Sequence, residues 1–218
     1  MREIMQILSF PGQYINERMY LLQSGKRIIL IDAVRNEKAD AYLKQIRPHD
    51  VWIILTHEHI DHIYGVNDLK KKFPCRVLCS QMCSAAIGDP KLNMARYQEV
   101  ILGRNDTRSE LDFEYRCEAD QTFEKKYSFD WQGHMFRLYE TPGHSRGSIC
   151  ILLNDSVVFT GDTLLKNDPV ITRLPGGDRI AYRQKTLPFL HSLPPDSYVY
   201  PGHGEAGMLK DCALEREG

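Results

Sequence analysis

The chain reads as an α/β (α+β) protein in which two β-sheets pack face to face with helices on the outside. Three observations lead there. Strand-like text fills both halves of the chain and each half ends in helical text, the pattern that layers two sheets beneath outer helices. Residues 51–55 form a continuous apolar run, the mark of a strand buried on both faces. The length of 218 residues suits one domain, here taken as 1–218.

The elements follow in order. Residues 4–10 and 14–23 alternate as strands, and Ser24-Gly25 turns the chain into a third strand at 27–31. Residues 37–46 place Ala39, Ala41, Leu43 and Ile46 at helical spacing, and Pro48 closes the helix. After the buried strand 51–55 a helix runs through 66–73 and stops at Pro74, with a short strand at 76–79 and more helical text beyond. Across 87–120 charge rises while Leu92, Met94, Tyr97, Val100 and Ile101 recur at helical intervals. That pattern predicts a helical insert, which would cover one wall of a pocket. Strands follow at 129–131, 134–140, 148–153 and 156–160, with Gly133 and Asn154-Asp155 as turn residues. A helix at 179–190, a strand at 198–200 and a short end helix at 207–215 complete the reading.

Composition excludes several classes of function. Lysine plus arginine number 28 against 29 acidic residues, so there is no basic surplus for bulk nucleic-acid binding. No apolar run approaches the ~18 residues that span a bilayer. The N-terminal text lacks the parts of a secretory signal, so the expected address is the cytoplasm. Cys75, Cys79, Cys83, Cys117, Cys150 and Cys212 do not have zinc-site spacing and read as reduced thiols.

The chemistry sits in Thr56-His57-Glu58-His59-Ile60-Asp61-His62, directly after the buried strand. Two histidines two apart on extended backbone point the same way, so His57 and His59 can face one metal ion. Asp61 and His62 follow where a helix begins, and the turning chain carries them to a second point nearby. A lone histidine such as His49 or His191 is ordinarily solvated or satisfied in a core, but four ligand-type residues in six positions have few structural uses. Three later loops repeat one device, a strand, a turn-forming glycine and a ligand: Thr141-Pro142-Gly143-His144-Ser145, Phe159-Thr160-Gly161-Asp162-Thr163 and Tyr200-Pro201-Gly202-His203-Gly204.

These motifs, in this order from Ile31-Asp32 to Glu205, resemble the metallo-β-lactamase superfamily and within it the small glyoxalase II-like hydrolases. The resemblance implies the αβ/βα sandwich. It also implies a first metal on His57, His59 and His144, a second on Asp61, His62 and His203, Asp162 bridging both, and Asp32 supporting from behind. Nitrogen and carboxylate ligands without thiolate suit two divalent ions, zinc first, with iron or manganese as alternatives. A position left open on each ion would make hydroxide available near neutral pH. The expected activity is hydrolysis of a small acyl compound (thioester, lactone or ester), with Asp61 also orienting the nucleophile. The alternatives are a mononuclear iron persulfide dioxygenase, whose relatives lose part of the second ligand set, and a phosphodiesterase. The usual Asp-His-x-Gly-Gly ending is here Asp61-His62-Ile63-Tyr64-Gly65, so Tyr64 is either a core aromatic or a phenol trimming the pocket. Arg173 is either a structural ion-pair partner or the holder of an anionic group of a small-molecule substrate. No C-terminal helical domain follows His203, which lowers the expectation of hydroxyacylglutathione itself.

Overall fold

The computed structural model describes residues 6–99, 112–212 and 214. Strand alternation decides its layering. Strands β1 (Gln6–Pro11), β2 (Arg18–Ser24), β3 (Arg27–Ile31), β4 (Asp50–Ile54), β5 (Cys75–Ser80) and β6 (Gln121–Phe123) form one sheet in that order. Successive residues point to opposite faces. Met19, Leu21, Ile28 and Leu30 therefore pack beneath helices, while Tyr20, Leu22, Ile29 and Ile31 face the second sheet.

That second sheet has the order β12-β11-β10-β9-β8-β7, built from β7 (Lys126–Trp131), β8 (His134–Glu140), β9 (Ile149–Leu153), β10 (Val157–Gly161), β11 (Tyr198–Pro201) and β12 (Gly207–Met208). Phe136, Leu138, Ile149, Ile151, Leu153 and Phe159 meet the first sheet in a shared apolar layer. Helices α1 (Glu37–Ile46), α3 (Val66–Lys72) and α4 (Gln81–Ile87) cover the outer face of the first sheet through Ala39, Leu43, Val66, Leu69, Cys83 and Ile87. A short α2 (Ile60–Ile63) lies between β4 and α3. On the other side α5 (Arg179–Ala181), a π-helical stretch Tyr182–Thr186 and α6 (Leu187–Ser192) form one run, whose Tyr182 and Leu190 pack on Cys150, Leu152, Val158 and Val199. The result is the αβ/βα sandwich.

Strand direction then gathers the loops. β8 and β10 each pair antiparallel with β9, and β11 pairs parallel with β10, so β8, β10 and β11 all run the same way. The turns that follow them, which carry His144, Asp162 and His203, leave one edge of the sheet. In the first sheet β3, β4 and β5 are parallel, and the histidine motif leaves the carboxyl end of β4. Ligands gather at this edge for a general reason: crevices of α/β sheets open at the carboxyl ends of strands.

Two expectations need correction. Residues 14–17 are not strand; β2 begins at Arg18 because the Glu17 carboxylate accepts from the amides of Tyr14 and Ile15, curling the segment, and Asn16 takes φ 64°. The end of the chain is not helical at 207, since Gly207–Met208 pairs with β11 and a 3₁₀ turn, Leu209–Asp211, follows; residues 213 and 215 of the expected end helix lie outside the described residues. The helical insert expected across 87–120 falls mostly on residues 100–111, which lie outside the described residues; the described part holds turns, a 3₁₀ turn at Ala95–Tyr97 and helical residues 98–99, and Asn93 ties it down by donating to the carbonyls of Ile87 and Tyr115. Strands β6 and β12, at three and two residues, carry too little alternation to be read from sequence. Among the described residues all six cysteines are free thiols, and no helix is long and apolar enough to cross a membrane.

Phe136, fully buried between the sheets, sets the first test. Phe136→Ala should cost about 3–5 kcal/mol of unfolding free energy in chemical denaturation, by lost burial and a residual cavity. Ile180→Ala, at a position 66% exposed, should stay within about 0.5 kcal/mol of the parent.

Candidate metal centre

Backbone turns aim each functional side chain. Beyond β4 the chain stays extended through His59 (φ −64°, ψ 145°) and then winds into α2, so His57 and His59 precede the bend while Asp61 and His62 follow it. Two glycines let the other loops close in. Gly161 has φ 49°, in the left-handed region, and a β-carbon there would strike the Thr56 side chain. A β-carbon on Gly202 would fall on Asp162 Oδ1 and His62 Cε1.

Behind the ligands lies Asp32, buried at the end of β3 with φ 63°, a left-handed conformation that aspartate tolerates. Its carboxylate accepts from the Thr56 amide at 2.7 Å, from Thr56 Oγ1 at 2.8 Å and from His62 Nδ1 at 2.8 Å. These bonds fix tautomers. A carboxylate only accepts, so His62 Nδ1 carries hydrogen and its Nε2 faces forward. Thr56 spends its proton on Asp32, so its oxygen, 3.1 Å from His57 Nδ1, accepts from that ring. His144 Nδ1 donates to the Ile171 carbonyl at 2.8 Å and His203 Nδ1 to the Ile15 carbonyl at 3.1 Å. Four histidines thus present Nε2 to a common region, each oriented by a partner behind it, as metal-ligating histidines are.

The forward atoms form three overlapping groups: His57, His59 and His144; His57, His62 and Asp162; and Asp61, His62 and His203, with the ligand atoms in each group within 4.8 Å of one another. His59 Nδ1 lies 3.0 Å from His144 Nε2, and His62 Nε2 lies 3.1 Å from His203 Nε2. Asp61 Oδ2 sits 3.2 Å from His203 Nε2 and 3.4 Å from His62 Nε2. Asp162 spans the groups: Oδ1 is 3.4 Å from His62 Nε2, while Oδ2 is 3.3 Å from His203 Nε2 and 3.6 Å from His144 Nε2. His57 Nε2 and Asp162 Oδ1 are buried with no hydrogen-bond partner among the described residues, although buried polar atoms are normally paired. Convergent lone pairs and orphaned acceptors fit cations, so these residues suit the two ions that the sequence implied.

Charge is divided unevenly across the site. Burial holds His57 well below the ordinary histidine range and brings His59 down to about 3, with neighbouring rings adding to both, and it lowers His144 as well. Burial also disfavours charge on His62, but Asp61, Asp162 and Asp32 outweigh it and hold the ring well above its ordinary range. His203 likewise rises to about 10 against burial, through Asp162 and Asp61. Asp61 falls to about 2 because His62 and His203 overcome the opposing effect of burial.

A cavity of about 550 Å³ opens over the cluster, and His59, Asp61, His144, Asp162 and His203 reach it. Its walls are apolar (Ile15, Met94, Leu165, Pro169, Ile171 and Leu174), with Asp168 and Arg173 adding charge. Met94 shows the 87–120 stretch contributing one wall. Arg173 is exposed and has no carboxylate in ion-pair range among the described residues. Tyr64 is a core residue instead: it is buried, its hydroxyl donates to Glu17 Oε1 at 2.8 Å, and it does not line the cavity.

Sequence reasoning missed three supports. Thr56 was visible inside the motif, but its relay role needs Asp32 in three dimensions. Buried Glu58 accepts from Ser145 Oγ at 2.8 Å and steadies the His144 loop. Glu17 shapes the segment that reaches His203, and no sequence signal marks a solitary buried glutamate. Asp32→Asn would place an amide where three donors converge; metal affinity should then fall about 10–100-fold in chelator competition, with unchanged affinity counting against the tautomer argument.

Comparison with known proteins agrees with this geometry. A probable metallo-hydrolase of Streptococcus pyogenes is 29% identical over 209 residues, covering 94% of this chain and 87% of that protein. The crystal structure of the BLEG-1 B3 metallo-β-lactamase superposes with a TM-score of 0.76 at 26% identity, covering 94% of this chain and 95% of that one. The structure of TTHA1623 in a di-iron-bound form shares the fold, with a TM-score of 0.75 at 24% identity over 96% and 98% of the two chains. The metallo-β-lactamase superfamily model matches residues 16–203, the stretch that carries every residue of the cluster. The chain belongs to the metallo-β-lactamase superfamily and is a metallo-hydrolase of that family.

Proposed function

We propose that this protein is a binuclear metal-dependent hydrolase of a small acyl compound, a thioester, lactone or ester. The observation that carries the reading is Asp162, whose carboxylate on the floor of an open cavity lies within 3.6 Å of ring nitrogens from both groups, His144 of the first and His62 and His203 of the second. His57, His59 and His144 would hold one ion, Asp61, His62 and His203 the other, with Asp162 between them. Zinc is the first choice for this ligand set, and the di-iron form of a fold neighbour keeps iron as the alternative. When bound, such ions supply an acidified water and polarise a carbonyl oxygen.

The chain's own residues do the rest. In acyl hydrolysis the water oxygen bonds to the carbonyl carbon while the C–S or C–O bond breaks, and the proton that the water gives up ends on the leaving thiolate or alkoxide, which departs as the thiol or alcohol. Asp61 borders the cavity and stays ionised, so it accepts a hydrogen bond from that water and orients it; at about 2 its carboxyl is too weak a base to keep the proton. The apolar walls take the acyl portion and exclude water around it. Arg173, without a carboxylate partner among the described residues, meets an anionic group at the other end of the substrate. A phosphodiester substrate would call for several cations, and among the described lining residues Arg173 is the single one. An iron oxygenase would need only the first histidine group, whereas the second is complete here.

Metal analysis after reconstitution should give two ions per chain. Steady-state assays on S-acyl thiols, lactones, aryl esters and bis-p-nitrophenyl phosphate should show acyl substrates ahead of the phosphodiester, and anionic acyl substrates ahead of neutral ones. One iron per chain with oxygen uptake on a persulfide would overturn the assignment. Separately, Asp61→Asn should lower kcat/KM about 100-fold, the scale of losing the orientation of a reacting group. Full activity in a variant that keeps both ions would remove that role.

A further inference from the structure

Glu17 is fully buried, yet no lysine or arginine lies in ion-pair range among the described residues. A buried carboxylate must be hydrogen-bonded to be tolerated. Its partners are the Tyr64 hydroxyl at 2.8 Å, the Ile15 amide at 2.8 Å and the Tyr14 amide at 3.3 Å. Tyr64 Oη also accepts from the Gln13 amide at 3.3 Å, and the rings of Tyr14 and Tyr64 lie 4.6 Å apart. Residues 12–17 are therefore wound around one carboxylate. Gly12 donates to the Glu17 carbonyl at 2.7 Å, and a β-carbon there would fall on the carboxylate.

This loop delivers parts to the second ligand group. Its Ile15 carbonyl accepts from His203 Nδ1, Glu17 forms a backbone bridge to His203, and the Arg18 amide donates to the Gly202 carbonyl at 2.7 Å. Tyr64 caps α2, the helix that carries Asp61 and His62. The Tyr64–Glu17 hydrogen bond thus links the segment that supplies Asp61 and His62 to the loop that supports His203.

We propose that Tyr64 and Glu17 are positioning residues for the second metal ion: their hydrogen bond sets the distance and orientation of His203 relative to Asp61 and His62. The inference rests on the two-ion reading given above. In the first group His57 takes its orientation from Thr56 and His144 from Ile171, contacts that do not involve this bond.

The test is stepwise loading of metal-free protein with zinc or cobalt against a competing chelator, with His203→Ala identifying which step belongs to the second group. Tyr64→Phe should weaken that step about 10-fold and leave the first unchanged. Added to His203→Ala it should produce no further change, because the two substitutions act on one interaction. If Tyr64→Phe fails to fold, Glu17→Gln is read by the same comparison and should shift the same step. A wild-type protein that takes up two ions alongside a Tyr64→Phe protein with both constants unchanged overturns the inference alone, even if the melting temperature of the metal-free variant falls. Weakening of both steps equally also overturns it. A wild-type protein that takes up one ion overturns the two-ion reading and the inference with it.

Discussion

Three hydrogen bonds converging on the Asp32 carboxylate are the constraint on which the rest of the site depends. Asp32 leaves β3 in a left-handed conformation, and its amide still donates to the Ile54 carbonyl at 3.0 Å. The ends of β3 and β4 are therefore locked together at the point where the histidine motif begins. From there the carboxylate holds Thr56 by backbone and hydroxyl and His62 by its ring. One buried charge thus sets the start of the motif, two ring tautomers, and through Gly161, packed against Thr56, the approach of the Asp162 loop.

Such a cluster is a burden on a folded chain with no bound ion. Seven ionisable side chains share one edge of the sandwich, and most are nearly inaccessible to solvent. The protein divides the problem by keeping three imidazoles neutral through burial and placing His62 and His203 among carboxylates. Parallel strand ends make this location feasible, because the loops leaving them need not cross the apolar layer between the sheets. Cation binding then returns free energy to folding, since the ligand geometry does not exist in the unfolded chain.

How much of this was legible in the sequence follows from the range of each interaction. The 57–62 motif and the three glycine-led turns are local patterns whose geometry is set within a few residues, and the structure brings all seven residues together. The sandwich was legible for a similar reason: alternation in β2 and β3 sends neighbouring residues to two different cores. What could not be read depends on distant partners. Residues 14–17 have the composition of a strand, and the buried Glu17 overrides that preference by competing for their amides. Tyr64 could face either way until Glu17, 47 residues earlier, was placed against its hydroxyl. The apolar spacing across 87–120 puts Met94 against the cavity within a turn and leads into helical residues at 98–99, and the rest of it lies outside the described residues.

The supports of the site also show that ligand orientation and substrate selection are not separable here. Ile171 holds His144 through its carbonyl while its side chain forms a cavity wall, with Arg173 two residues on. Ile15 does the same for His203 from the opposite rim, through its carbonyl and its side chain. These two loops of the cavity wall therefore each also aim a ligand nitrogen. A side-chain exchange that leaves the backbone of these loops in place alters the walls alone, whereas an insertion or a proline that moves either carbonyl alters a ligand's aim as well. Divergence of substrate preference on this scaffold is therefore easiest at the side chains of Ile15, Ile171, Arg173 and Leu174, with the hydrogen-bonded backbone beneath them held fixed.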